Sequence, residues 1–183
     1  MPSLTGKRIA ILVENQYEDL EFWYPYYRMK EEGADVVVVG TGSSETYKGK
    51  HGLEAKPKAT ADKVTANDFD AIIVPGGFAP DYMRRYPSVL KLVRDMNDDG
   101  KLVAAICHAG WVLVSAGIAK GRSMTCFGSI KQDVINAGAI YVDEPVVKDR
   151  NLITSRYPAD LPVFCREIIA GLARTRAQSS KVR

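Results

Sequence analysis

Short apolar runs alternate with longer mixed segments along most of the chain. The runs predict buried strands at 8–15, 35–40, 71–75, 101–106, 124–127, 140–142, 146–148 and 152–154. The segments between them predict helices at 21–32, 88–99, 111–117, 129–137 and 162–174. Strands that alternate with helices of this length predict a mainly parallel sheet with helices on both faces, which is an α/β fold.

The same pattern predicts one domain. The chain has 183 residues, which suits a single α/β unit, and it contains no internal repeat or linker. Turn residues and short alternating pieces at 41–58 predict a hairpin excursion from the sheet. The core is expected over about 7–172, and the basic, serine-containing end predicts a frayed tail over 175–183.

Composition narrows the class of protein. Charged residues make up 26% of the chain and the net charge is +3, with the basic residues spread out, so we expect no nucleic-acid interface. No apolar stretch approaches the roughly 20 residues of a membrane span, and no signal-peptide core is present, so a soluble, cytoplasmic protein is expected. Three cysteines cannot all pair, which favours a reducing compartment. With two histidines and no Cys-x-x-Cys pair, we expect no metal site.

Cys107 stands where a predicted strand ends and a helix begins. Ala105 and Ala109 flank it at two positions on either side, and small neighbours suit a sharp turn that projects a nucleophile. A helix N-terminus also favours the thiolate over the thiol. This junction predicts a nucleophile elbow with cysteine at its tip.

The remaining cysteines and the second histidine have less informative positions. Cys126 lies in the predicted strand 124–127 and Cys165 in the last helix, and both are interpreted as buried apolar residues. His51 is expected to belong to the hairpin or to an interface. The five aromatic residues of 22–27 predict packing or a subunit interface.

Four loops follow the carboxyl ends of predicted parallel strands, where ligands bind in open α/β sheets. They are 16–20, 76–85, the turn at Cys107 and 127–129. The active site is therefore predicted to form between them.

Four segments also carry a family resemblance. They are Glu-Asn-Gln-Tyr-Glu-Asp at 14–19, Val-Pro-Gly-Gly-Phe-Ala-Pro-Asp at 74–81, Ala-Ile-Cys-His at 105–108 and Ser-Arg-Tyr-Pro-Ala-Asp-Leu at 155–161. Together they resemble the ThiJ/PfpI superfamily, and most of all its PfpI-type branch of intracellular proteases, over about 7–172. The resemblance implies a flavodoxin-like three-layer sandwich with a reactive cysteine in the elbow.

The resemblance also implies roles for particular residues. Glu18 becomes the acidic partner that contacts the Cys107 thiol. His108 is the expected acid/base, since it follows Cys107 and the chain has one other histidine. Asp81, where the family pattern has a glutamate, becomes the carboxylate that orients this histidine from a neighbouring subunit, which implies a homo-oligomer, either a dimer or a hexamer.

Two further features concern substrate binding. The Gly76–Gly77 pair predicts a tight turn whose amides, with that of His108, form an oxyanion hole. Trp111, where many relatives have a polar residue, is expected to line or narrow the pocket.

Three functions fit these residues. The first is a cofactor-independent enzyme for reactive carbonyls, glyoxalase III-like or protein deglycase-like, that uses Cys107, Glu18 and His108. The second is a cysteine peptidase whose Cys107–His108–Asp81 triad is completed across subunits. The third is a non-enzymatic oxidative-stress sensor or chaperone that uses oxidation of Cys107. A glutamine amidotransferase is disfavoured, because no histidine follows His108 in the chain.

Overall fold

A seven-stranded sheet forms the centre of the structure, a computed structural model that describes residues 3–179. The strands of the chain are β1 (Arg8–Val13), β2 (Asp35–Gly40), β3 (Tyr47–Lys48), β4 (Glu54–Ala55), β5 (Ala59–Thr60), β6 (Ala71–Val74), β7 (Leu102–Ile106), β8 (Ser123–Met124), β9 (Ile140–Tyr141), β10 (Val146–Asp149) and β11 (Leu152–Ser155). The helices are α1 (Asp19–Glu31), α2 (Ala79–Met83), α3 (Pro87–Asp98), α4 (Gly110–Ser115), α5 (Lys131–Asn136) and α6 (Leu161–Ser179).

The sheet has the order β10-β11-β7-β6-β1-β2-β5. Every neighbouring pair is parallel except the antiparallel edge pair β10–β11. Helix α1 packs against α6, and α3 packs against α4 and the sheet. The predicted flavodoxin-like α/β fold, with a mainly parallel sheet between helical layers, is confirmed.

The register of the central strands places the site. Ile11 pairs with Ile73, and Val74 pairs with Ala105, so β1, β6 and β7 end side by side. Their residues are almost all buried, because helices cover both faces of a parallel sheet and leave no polar face. The loops after these three strands therefore meet at one edge.

Some local predictions needed correction. The excursion at 41–58 does contain the antiparallel hairpin β3–β4, but it is followed by β5, which adds an unpredicted parallel strand beside β2. Helix α1 begins at Asp19, two residues before its predicted start at 21, and it contains Pro25. Helix α6 extends to Ser179, beyond its predicted end at 174, and the last part of the predicted tail, 180–183, lies outside the described residues.

The strands predicted at 124–127 and 140–142 are only two residues long. They form the separate parallel pair β8–β9, and Cys126 lies beyond β8. The reason is a change of hydrogen-bond partner: Thr125 N donates to Thr154 Oγ1 (2.9 Å) and Phe127 N to the Cys107 carbonyl (3.2 Å). Within residues 3–179, no helix is both long and apolar enough to cross a lipid bilayer.

Candidate active site at the Cys107 turn

Cys107 lies at the end of β7, at the start of a short 3-10 turn that leads into α4. Its φ is +62°, a left-handed conformation that costs a non-glycine residue about 1–2 kcal/mol. The turn brings the side chain against the loop after β6, where a Cβ on Gly76 would lie 2.6 Å from the Cβ of Cys107. The strained backbone thus presents the thiol to the neighbouring strand end.

The sulfur belongs to a residue that is 7% exposed, and polar groups surround it. The backbone amides of Gly77 and His108 donate hydrogen bonds to it, and His108 Nδ1 lies 3.2 Å away. Burial raises the pKa of the Cys107 thiol, the charge of Glu21 raises it further, and the two amides lower it. The thiol form is therefore favoured over the thiolate that a helix N-terminus alone would favour, and a neutral Glu21 opposes ionisation less than a charged one.

Glu21 is a fully buried carboxyl in the first turn of α1. Its Oε2 accepts a hydrogen bond from Gly76 N (2.8 Å), and Oε1 is buried with no nitrogen or oxygen partner among the described residues. Burial, followed by the charge of Glu18, raises the pKa of Glu21 to about 8. The carboxyl is consequently protonated at neutral pH and interacts with the thiol.

Glu18, which we expected beside the thiol, has a different position. It is the N-cap of α1: Oε2 accepts from Glu21 N (2.9 Å), and Oε1 lies 3.7 Å from His51 Nε2. The carboxyl next to Cys107 is Glu21, so the prediction for Glu18 is corrected. The sequence held no clear signal for this, because glutamate is not among the residues preferred at an N-cap.

His108 is half-buried between two aromatic rings. It stacks on Phe127 at a centroid distance of 4.9 Å and meets Trp111 at 5.2 Å. Its Nε2 lies 3.0 Å from Ser129 Oγ, a contact that the sequence did not predict. Burial, and to a smaller extent the charge of Lys50, lowers the pKa of His108, so the ring is neutral at pH 7.

Two predicted site residues lie away from the sulfur. Asp81 accepts from Arg85 Nη2 (2.5 Å) and makes no contact with His108 within residues 3–179, so its predicted role requires a second subunit. Trp111 was expected in the pocket, but it does not line the cavity. Its Nε1 donates to Asp133 Oδ2 (2.7 Å), and its ring packs against the ring of His108. That expectation is corrected.

The backbone amides of Gly76 and Gly77 have different hydrogen-bond partners. Gly76 N–H is already bound by Glu21, so it is not available to a substrate. Gly77 N–H and His108 N–H both donate to the sulfur, so they lie beside the atom that would bind a substrate carbonyl carbon. The oxyanion hole stays a prediction for these two amides, and Gly76 is not available for it.

A cavity of about 410 Å³ opens above Cys107. All four predicted loops contribute to its wall, through Gln16 and Glu18, Gly77 and Phe78, Cys107 and His108, and Phe127. Glu21, Lys50, Tyr157 and Pro158 complete it, and these four were not predicted as site residues. A larger cavity, about 770 Å³, lies at the opposite end of the sheet around Lys7 and Lys101, away from the thiol.

No metal cluster accompanies this cavity. Within the described part of the chain, no three His, Cys, Asp or Glu side chains lie close enough together to hold a metal ion. Cys126 and Cys165 are buried free thiols, and burial raises the pKa of each to about 12. His51 stays on the β3–β4 turn, with its side chain 63% exposed.

Gly77→Ala is expected to destabilise the protein by about 3 kcal/mol or more. Gly77 has φ +77°, and a Cβ there would lie 2.4 Å from both the Gln16 carbonyl oxygen and Glu18 N. Gly121→Ala is the matched control, since Gly121 has φ +71° but nothing within 4 Å of its Cβ position, and it should lose only the strain energy of about 1–2 kcal/mol. Urea unfolding measures both, and equal losses would show that the close approach at Gly77 is unimportant.

Several known proteins are similar to this chain in sequence. The chain is 43% identical over 162 residues to a deglycase of Pyrococcus horikoshii, covering 88% of this chain and 97% of the relative. Protein/nucleic acid deglycase 2 of Escherichia coli is 40% identical over 166 residues, covering 90% and 96%. A Bacillus subtilis protein whose name includes the words "cysteine protease" is 40% identical over 162 residues, covering 88% and 96%.

Solved structures show the same fold. DJ-1beta of Drosophila melanogaster has a TM-score of 0.86 at 33% identity, covering 91% of this chain and 90% of that one. A two-domain protein from Anabaena variabilis, with DJ-1/ThiJ/PfpI-like and ferritin-like domains, has a TM-score of 0.89 at 45% identity. The match covers 91% of this chain and about half (48%) of that protein. Residues 7–171 match the DJ-1/PfpI family, and the chain belongs to that family.

Proposed function

We propose that the protein is a cofactor-independent cysteine enzyme that acts on small reactive carbonyl compounds. One observation carries the proposal: a buried thiol, two amide donors and a neutral carboxyl meet at the floor of one cavity. These are the parts needed to add sulfur to a carbonyl and to move a proton between adjacent carbons. The names of the two deglycases among its relatives support the same chemistry.

The first step is addition to an aldehyde such as methylglyoxal. The Cys107 thiol gives its proton to neutral His108, whose Nδ1 lies 3.2 Å from the sulfur, as the sulfur forms a bond to the aldehyde carbon and the carbonyl π electrons move to the oxygen. Gly77 N–H and His108 N–H stabilise that oxygen, which takes the proton of Glu21. The product is a hemithioacetal, and Glu21 is left as a carboxylate.

The second step is proton transfer. The Glu21 carboxylate removes the proton from the former aldehyde carbon and returns it to the neighbouring carbon. His108, protonated in the first step, gives its proton to the ketone oxygen and takes the proton of the hydroxyl oxygen, and it returns the proton to Glu21 when the thioester is hydrolysed. The resulting thioester is hydrolysed by water to lactate, which restores the Cys107 thiol. Atoms balance, since methylglyoxal and one water give lactic acid. Glu21 thus takes the role that the sequence suggested for Glu18.

The site would act on early glycation adducts by the same first step. Such an adduct is a hemiaminal; when its C–N bond breaks, the hydroxyl proton goes to the amine and the aldehyde is restored. The thiol then adds to that aldehyde, and the amine is left free. The cavity is open on one side between Phe127 and Tyr157, which are each 37% exposed. An adduct on a protein side chain therefore has a route to the sulfur.

A cysteine peptidase is the second candidate, because Cys107 and His108 form a dyad at 3.2 Å. Its histidine would need a carboxylate partner, and in this chain Nε2 faces Ser129 instead. Asp81 would have to supply it from another copy of the chain.

Self-association itself is supported by exposed aromatic side chains on α1, where Tyr24 is 40% and Tyr27 61% exposed.

The test of the proposed function is lactate formation by the purified protein from methylglyoxal, with no thiol, metal or nucleotide added. We expect one lactate for each methylglyoxal consumed. Acid quenching during turnover should leave the mass of one methylglyoxal on the peptide that contains Cys107. Absence of both products would overturn the proposal, and cleavage of a fluorogenic peptide by the same preparation would then favour the peptidase.

A further inference from the structure

One charged group in the cavity wall has no part in the steps of the proposed reaction. Lys50 lies in the turn between β3 and β4, and its side chain borders the same space as Cys107 and His108. No carboxylate of the described residues forms an ion pair with it, whereas the neighbouring Lys48 lies 3.8 Å from Glu54. The wall therefore holds an ammonium group that has no ion-pair partner among the described residues.

The backbone of this turn is held against the start of α1. Lys50 N donates to the Tyr17 carbonyl (2.8 Å), and the buried Asp19 accepts from His51 N (2.8 Å) and Leu53 N (3.0 Å). Gly49 packs so closely that a Cβ there would lie 2.5 Å from Asp19 Oδ1. Because α1 also carries Glu21, the backbone of Lys50 is fixed relative to the reacting groups.

Among the described residues, the other ionisable groups of the wall form no ion pair with this ammonium group. Glu18 is the carboxylate of the wall, but it is the N-cap of α1: its Oε2 accepts from Glu21 N, its Oε1 lies 3.7 Å from His51 Nε2, and the positive end of the helix dipole offsets its charge. Glu21 and His108 are neutral near pH 7, because burial disfavours the charged form of each. The charge of Lys50 reaches both of them, since it opposes the rise in the pKa of Glu21 and adds to the fall in the pKa of His108.

We propose that Lys50 is a specificity residue that makes the site prefer carbonyl substrates carrying a carboxylate over neutral ones. A single ammonium group matches a compact monoanion, while a phosphate dianion usually needs several donors. The substrate part of this inference rests on the proposed function. A suitable substrate is 4,5-dioxopentanoate, a 2-oxoaldehyde with a carboxylate at its far end, which the same steps would convert to 2-hydroxyglutarate.

Alkylation of Cys107 tests the charge preference without any carbonyl chemistry. Iodoacetate and iodoacetamide have nearly the same shape and react alike: the thiolate sulfur bonds to carbon and iodide leaves. The quantity measured is the ratio of their rate constants at Cys107, followed by mass spectrometry. We expect Lys50→Met to lower the iodoacetate-to-iodoacetamide ratio about fivefold, and Lys50→Arg to keep it within about twofold.

Lys48→Met is the matched control, because it removes the same charge from the same hairpin outside the cavity wall. It should leave the ratio unchanged. Raising the salt concentration to about 1 M should lower the ratio in the wild type and have little effect in Lys50→Met. A ratio that is equal in the wild type and Lys50→Met, or one that falls equally in Lys48→Met, would overturn the proposal.

The carbonyl assay then tests the substrate class. The preference to measure is the specificity constant for the dioxo acid divided by the specificity constant for methylglyoxal. This quotient should fall in Lys50→Met by a similar factor, and Lys50→Arg should restore it. If the wild type converts neither compound, the proposed function fails, while the alkylation ratios still decide the role of Lys50. If both are converted with a quotient that Lys50→Met does not change, the specificity role is wrong and the proposed function stands.

Discussion

Cys107→Ala is expected to lower the conversion of methylglyoxal at least about a thousandfold, to the uncatalysed background. In the proposed reaction the sulfur forms the only covalent bond between enzyme and substrate, so no other group in the cavity replaces it. The alanine side chain fits the space of the thiol, and it leaves the amides of Gly77 and His108 in place. Lactate release over time, at equal concentrations of wild type and variant, measures the effect.

Cys165→Ala is the control for this experiment. Cys165 is also a buried free thiol, but it lies in α6, outside the cavity wall, and burial raises its pKa to about 12. Its replacement should leave kcat unchanged at a modest cost in stability. Substantial lactate formation by Cys107→Ala would rule out sulfur as the nucleophile, and loss of activity in both variants would indicate a folding defect instead.

The sheet was predictable because its main strands carry their information locally. A parallel strand covered on both faces must be apolar along its whole length, and β1, β2, β6 and β7 show this in the sequence. The two-residue strands β5, β8 and β9 were harder, since so short an element is decided by its partners. After β8, for example, the hydroxyl of Thr154 takes the amide that a longer strand would have used.

The location of the candidate site could be predicted from the sequence, but several of its side-chain contacts could not. The rule that ligands bind beyond the carboxyl ends of parallel strands located all four loops of the cavity. It does not say which acid of α1 points inward, and the three-residue spacing of Glu18 and Glu21 made either one reasonable from the sequence. Lys50 borders the cavity because the β3–β4 turn is hydrogen-bonded to Tyr17 and Asp19 at the start of α1. These contacts join segments that are distant in sequence, so no local pattern predicts them.

Glu21→Gln is expected to lower kcat/KM for methylglyoxal by about 10²–10⁴, the usual contribution of a positioned acid/base. Glutamine has the same shape, and its carbonyl oxygen still accepts from Gly76 N, so the fold and the cavity are retained. It cannot release a proton to the alkoxide or remove one from carbon. In the wild type kcat/KM should fall above about pH 8, where Glu21 loses its proton, and in Glu21→Gln that limb of the profile should be absent.

The same variant has a stability signature that a merely inactive protein would lack. The pKa of Glu21 rises from 4.5 to about 8 on folding, so between these values the folded protein holds a proton that the unfolded chain releases. This contribution is favourable below about pH 4.5 and is lost as the pH rises to about 8, by about 1.4 kcal/mol per unit. Glutamine does not titrate, so Glu21→Gln should gain about 3–5 kcal/mol relative to the wild type between pH 4.5 and 8. Urea unfolding of both proteins at the two pH values measures this double difference, in which other titrating groups cancel. A difference near zero would mean that Glu21 is ionised in the folded protein and does not hold the proton that the mechanism assigns to it.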